Sequence, residues 1–297
     1  MGNATWSNQI FNTYASASDY QNKPMREVFT STGIKKILNP KYISLRESVD
    51  SDNNPNSTPI ILGLDVTGSM GKYAHEIAIT HLPKLMNDLL ETRVIPDPHI
   101  MFMGIDDIHT PYDMPLQVSQ FEADIRIIEQ LRDIYMVGGG GGNNSESYDL
   151  AWLFAAYYTK IDSYDKRGVP GFLFTFGDEC APTEINTKAK LDKHFVNNEL
   201  SDVTPAELLA KAQERYQVFH VVIEQGSFYS GHQKYVKDSW NEILGNNVLF
   251  LNDSKYLSDV VIATLAIASG KNINDVINES SCKDQLTHAF QNALKTH

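Results

Sequence analysis

Asp65, Thr67 and Ser69 stand at alternate positions of Asp65-Val66-Thr67-Gly68-Ser69-Met70, directly after the apolar run Pro59-Ile60-Ile61-Leu62-Gly63-Leu64. One carboxylate and two hydroxyls, delivered by a loop that ends a buried strand, outline a site for a hard cation. Mg²⁺ takes oxygen ligands at about 2.0–2.1 Å in octahedral geometry and keeps some of its water. Mn²⁺ accepts similar oxygen donors, whereas soft metals are poorly served. The plainer reading of the same residues is a strand-end turn whose Asp and Thr cap the next helix.

Two further loops carry matching chemistry. Gly138-Gly139-Gly140-Gly141-Gly142 lacks side chains and lets backbone approach an ion or partner, and the Asn and Ser oxygens of Asn143-Asn144-Ser145 then open a helix. A phosphate-cradling loop is the rival for this run, but the Gly-Lys-Ser/Thr ending is missing. Asp178 ends the apolar run Gly171-Phe172-Leu173-Phe174-Thr175-Phe176. In an open parallel sheet, ligands gather outside the carboxyl ends of the strands, so all three loops fall on one edge.

The elements that must position these loops follow from hydrophobic patterning. Short apolar runs alternate with helical patterns, as in a doubly wound α/β fold with a mostly parallel sheet flanked by helices. Strands are expected at Pro59–Leu64, His99–Gly104, Gly171–Phe176, Tyr216–Ile223 and Val248–Leu251. Helices are expected over Gly71–Glu91, Phe121–Arg132, Ser145–Tyr158, Thr204–Arg215, Leu257–Ala268 and Ile273–Leu294. Pro83 should kink or split the first helix. Residues 1–57 form an N-terminal extension whose aromatics (Trp6, Phe11, Tyr14, Tyr20 and Phe29) imply packing on the domain. Residues 58–270 form the domain proper and 271–297 a C-terminal helix.

With 297 residues and 42% hydrophobic content, the chain can bury a large core. A net charge of -12 opposes a phosphate-binding surface, so nucleic acid is not an expected partner. Cys180 and Cys282 cannot form a disulfide framework, and no apolar stretch spans a bilayer. The opening residues lack the basic and apolar segments of a signal peptide, so the expected location is the cytoplasm, with no membrane partner. Asp106 and Asp107 read as a strand-end pair facing water, with a place behind the ligands of the cation as the alternative. His75 and His81 are six apart and share no helix face, which does not suit zinc.

Asp65-Val66-Thr67-Gly68-Ser69 resembles the Asp-x-Ser/Thr-x-Ser motif of von Willebrand factor A domains. The two later loops resemble the other elements of their metal-ion-dependent adhesion site, in the manner of a bacterial or phage branch. The resemblance covers most of the chain from about Pro59 to Ala268. It implies a Rossmann-like fold and a Mg²⁺ or Mn²⁺ ion held by Asp65, Thr67, Ser69 and Asp178. The second loop of that family usually supplies a Thr, sometimes an Asp. Here the corresponding place holds Asn143, with Asn144 or Ser145 as alternatives. Two hydroxyls and an amide would leave the ion under-neutralised and favour a carboxylate from a partner protein. The resemblance therefore implies a non-enzymatic, cation-dependent protein-binding module, with an AAA+ ATPase complex as a partner of the kind intracellular members use. A competing resemblance is to haloacid-dehalogenase-type phosphatases, with Asp65 as nucleophile. Thr67 stands where their general acid belongs, and Ala181-Pro182 where a further acid is wanted.

Overall fold

All eight residues of Thr58–Asp65 are buried, so this strand has no water-facing side and fits only a sheet covered on both faces. The computed structural model describes residues 27, 31–110, 115–124, 126–137 and 144–296. Its strands are β1 (Arg46–Ser48), β2 (Thr58–Asp65), β3 (Pro98–Ile105), β4 (Leu116–Val118), β5 (Thr159–Ile161), β6 (Gly171–Gly177), β7 (Tyr216–Ile223) and β8 (Val248–Leu251). The α-helices are α1 (Lys72–Glu76), α2 (Leu82–Thr92), α3 (Arg126–Arg132), α4 (Asp149–Tyr157), α5 (Asp162–Arg167) and α6 (Lys188–His194). They continue with α7 (Pro205–Gln213), α8 (Ser227–Leu244), α9 (Leu257–Ala268), α10 (Ile273–Glu279) and α11 (Lys283–Ala289).

Six strands form one sheet in the order β4-β3-β2-β6-β7-β8, with β1 and β5 paired separately. Every pairing in the main sheet is parallel except that of β4 with β3. From β2 the chain crosses to β3 on one side, and it later returns to β6 on the other. The order therefore reverses between β2 and β6, where Leu64 lies opposite Phe176. Diverging connections open a crevice at such a point, and both Asp65 and Asp178 emerge there.

Alternation along the strands fills two cores. Ile60, Leu62, Leu64, Phe174 and Phe176 face one side, packed with Leu85 of α2, Leu131 of α3, Leu265 of α9 and Leu286 of α11. Ile61, Met101, Leu173 and Val222 face the other, with Trp152 of α4, Leu208 of α7 and Trp240 of α8. The expected doubly wound α/β class is what the chain adopts.

Several boundaries differ from the pattern in the sequence. Pro83 has no N–H for the carbonyl four residues back, and a π-helical turn, Ile77–His81, separates α1 from α2. The helix expected from Phe121 begins at Arg126, because Glu122 instead bridges Ile100 in antiparallel fashion. The helix expected from Ser145 begins at Asp149. The terminal helix expected over Ile273–Leu294 is interrupted between Glu279 and Lys283, and Ile277 and Leu286 join the first core. Within the extension, Arg46–Ser48 pairs with Thr159–Ile161, and Leu38 and Ile43 are buried. Trp6, Phe11, Tyr14, Tyr20 and Phe29 lie outside the described residues.

Candidate metal centre

The loop after β2 turns back on itself because Asp65 organises it. Asp65 Oδ1 accepts from the Thr67 amide at 2.9 Å and from Thr67 Oγ1 at 2.6 Å. Thr67 Oγ1 lies 3.2 Å from Ser69 Oγ, which donates to Asp178 Oδ1 at 2.7 Å. Four of the five sequence-predicted site residues thus form one chain of oxygens across the crevice. The fifth, Asn143, lies outside the described residues, as does the run Gly138–Gly142. Of its alternatives, Asn144 is exposed and Ser145 is half-buried.

This geometry fits a hard cation. Ligands at about 2.0–2.1 Å in an octahedron place neighbouring oxygens about 3 Å apart, close to the spacings along the chain. Thr67 Oγ1 and Ser69 Oγ lie within hydrogen-bond reach of each other, and either can be the donor. Among the described residues no group of three or more His, Cys, Asp or Glu side chains is gathered closely enough to hold an ion, so a cation here would have to draw on the hydroxyls.

Residues that the motif does not include hold the site in shape. Tyr148, fully buried and packed edge-on against the stacked rings of His220 and Trp240, donates its hydroxyl to Asp65 Oδ2 at 2.9 Å. Its phenol occupies the space a side chain at 177 would need: a Cβ on Gly177 would lie 1.9 Å from the hydroxyl oxygen. The amide of Phe228, in the first turn of α8, donates to Asp178 Oδ2 at 2.8 Å. Gly226 permits that approach, since a Cβ there would fall 2.2 Å from the same oxygen.

The second loop is stitched down on both sides. Cys180 N donates to Asn144 O at 3.1 Å, and Ser147 N donates to Asp106 O at 3.3 Å. Ser147 Oγ donates to Asp107 Oδ1 at 2.9 Å. Asp106 and Asp107, expected to face water, are instead buried beneath this segment. Glu146 and Glu179 are buried in the same crevice, and no sequence argument singled them out. Both Glu146 carboxylate oxygens and Glu179 Oε2 have no hydrogen-bond partner.

The electrostatics are those of crowded carboxylates. Burial, and then the charge of Asp178, pushes Asp65 up to about 7. Burial followed by Asp65 and Asp178 raises Glu179 to about 8, against the hydroxyl of Ser69. Glu146 rises to about 10 through burial and the charges of Asp65, Glu179, Asp106 and Asp107. Burial also holds Asp106 up at about 6. The largest charge effects on Asp65, Glu146 and Glu179 come from other acids, so the edge is short of positive charge.

No family model matches the chain. A curated protein similar to it is the GPI inositol-deacylase of Xenopus laevis, 23% identical over 274 residues, with 89% of this chain covered and 26% of that protein. The chain thus spans about a quarter of that relative's length. Similar solved structures include the pilus adhesin SpaC from Lactobacillus rhamnosus GG in its open conformation. It is 11% identical over 77% of this chain and 31% of that one, at a TM-score of 0.43. Proximal thread matrix protein 1 from the mussel byssus is 13% identical over 71% and 47%, at a TM-score of 0.43. A von Willebrand factor type A structure from Catenulispora acidiphila is 13% identical over 73% and 44%, at a TM-score of 0.38. The architecture given above stands on this chain's own sheet order and register.

Proposed function

We propose that the chain is a divalent-cation-dependent protein-binding module with an adhesion site of the von Willebrand factor A type. The observation that carries this reading is the continuous run of oxygens from Asp65 through Thr67 and Ser69 to Asp178, at the point where the strand order reverses. Mg²⁺ is the cation the donor set suits, with Mn²⁺ as a substitute. Asp65, Thr67, Ser69 and Asp178 would hold it, together with a donor from the second loop. What a bound ion supplies is positive charge and an open coordination position for an acidic side chain of a partner protein. The partner class we favour is a cytoplasmic assembly such as an AAA+ ATPase complex.

The non-enzymatic reading is supported by how the acids and hydroxyls are already engaged. Asp65 accepts from Thr67 on one oxygen and from Tyr148 on the other, which leaves it poorly disposed to attack phosphorus. Ser69 Oγ is bonded to Asp178 rather than to an imidazole. Among the described residues, no helix is long and apolar enough to cross a membrane.

Calorimetric titration with Mg²⁺ and Mn²⁺ tests the reading. Saturable binding in the native chain, lost in Asp65→Asn and Asp178→Asn with folding retained, is the expected result. Absence of binding at millimolar metal, or binding indifferent to both substitutions, would sink it.

A further inference from the structure

Glu146 is the least satisfied ionisable side chain of the crevice. It is 1% exposed, and neither carboxylate oxygen has a hydrogen-bond partner. Its place is tightly determined by its neighbours in the chain. Two residues before it, the Asn144 carbonyl is tied to the amide of Cys180, in the loop that carries Asp178. One residue after it, Ser147 is tied to the carbonyl of Asp106 and the carboxylate of Asp107. Two residues after it, Tyr148 reaches Asp65. Glu146 is thus suspended between the loops that end β2, β3 and β6, and the ionised neighbour that bears on it most is Asp65. A buried carboxylate among other carboxylates, with no donor to meet it, is costly to keep. A cation beside it would supply the partner that Glu146 lacks.

We infer that Glu146 is a ligand residue of the cation site, so that the second loop contributes a carboxylate rather than the Asn143 amide. The inference rests on the metal-site reading above and changes one part of it. With the Glu146 carboxylate added to that of Asp65, a divalent ion is neutralised within the chain. An acidic partner would then have to displace an internal carboxylate instead of filling a charge deficit. Donor number also shifts the choice of ion, since a carboxylate that binds through one or two oxygens accommodates Mn²⁺ or Ca²⁺ as well as Mg²⁺.

Mn²⁺ alone, titrated into the full chain, separates the two claims. Calorimetry gives the affinity, and water-proton relaxation counts the waters on the bound ion. Glu146→Gln keeps the shape of the side chain but removes its charge. It should weaken Mn²⁺ binding by about tenfold or more and add a water to the ion, while melting without metal at or above the native temperature. Asp65→Asn should abolish binding. If Glu146→Gln matches the native chain in affinity and water count while Asp65→Asn binds nothing, Glu146 is no ligand, although the site itself stands. If the native chain takes up no Mn²⁺, or Asp65→Asn binds it normally, both readings fall together.

Discussion

Replacing Gly177 with Ala should damage this protein more than any other addition of a single methyl group we would make. A Cβ at that position would lie 1.9 Å from the Tyr148 hydroxyl, 2.6 Å from Cζ and 2.7 Å from Cε1. Ordinary contact needs about 3.4 Å or more, so the ring or the strand must move by roughly an ångström and a half. Neither can do so freely. The ring packs edge-on against His220 and Trp240, and β6 is hydrogen-bonded on both sides by β2 and β7. Overpacking a core costs about 1–3 kcal/mol. Losing the hydrogen bond from Tyr148 to Asp65 adds about 1.5–3 kcal/mol. We therefore expect a loss of about 2.5–6 kcal/mol, a large fraction of the 5–15 kcal/mol typical of a domain. Urea unfolding read by far-UV dichroism would show it as a lower midpoint at unchanged slope. The double variant with Tyr148→Phe should recover only part of the loss, because ring carbons as well as the hydroxyl oxygen stand in the way. A loss below about 1 kcal/mol for Gly177→Ala would refute the packing argument, and full recovery in the double variant would refute its emphasis on the ring.

Other outcomes follow from the same structure. Because burial holds Asp65 near 7 and Glu179 near 8, a cation must displace protons at these groups; Mn²⁺ affinity by calorimetry should therefore rise from pH 6 to pH 8, and a flat profile would contradict the site electrostatics. Asp149, fully buried at the start of α4 and accepting from Asn186 Nδ2, is raised to about 7 by burial. Its folded pKa exceeds the unfolded value, so the folded state binds more protons between about pH 4 and pH 7, and this group's contribution to stability declines across that window as pH rises. Asp149→Asn should flatten that part of the pH–stability curve, with its largest relative gain at pH 8 in urea titrations. Thr204 caps α7 reciprocally with Glu207; Thr204→Ala should cost about 0.5–2 kcal/mol by the same assay.

Sequence alone carried the elements whose physics is local. Tyr216–Ile223, Val248–Leu251 and Leu257–Ala268 have the bounds expected of them. An apolar run with turn residues at its ends has few alternatives once both faces must be buried. The Asp65–Ser69 spacing was equally legible, because one turn brings three oxygens together whatever the rest of the chain does. The 18-residue helix α8 was not anticipated, since its apolar residues are sparse, it bends at His232 and much of its surface is polar. Nor was the β1–β5 pair, which joins segments with no patterning of their own.

The rest of the site was decided by tertiary structure. Tyr148 meets Asp65 across 83 residues, and Ser69 meets Asp178 across 109. Glu146 and Glu179 carry no signal of their own in the sequence, and Asp106 and Asp107 read there chiefly as a strand-end pair facing water. Tertiary packing of the loops after β3 and β6 takes them out of water. Burial is a property of what lies above and below a residue, which no spacing along the chain expresses. A carboxylate's chemistry therefore became readable here only once its neighbours in space were known.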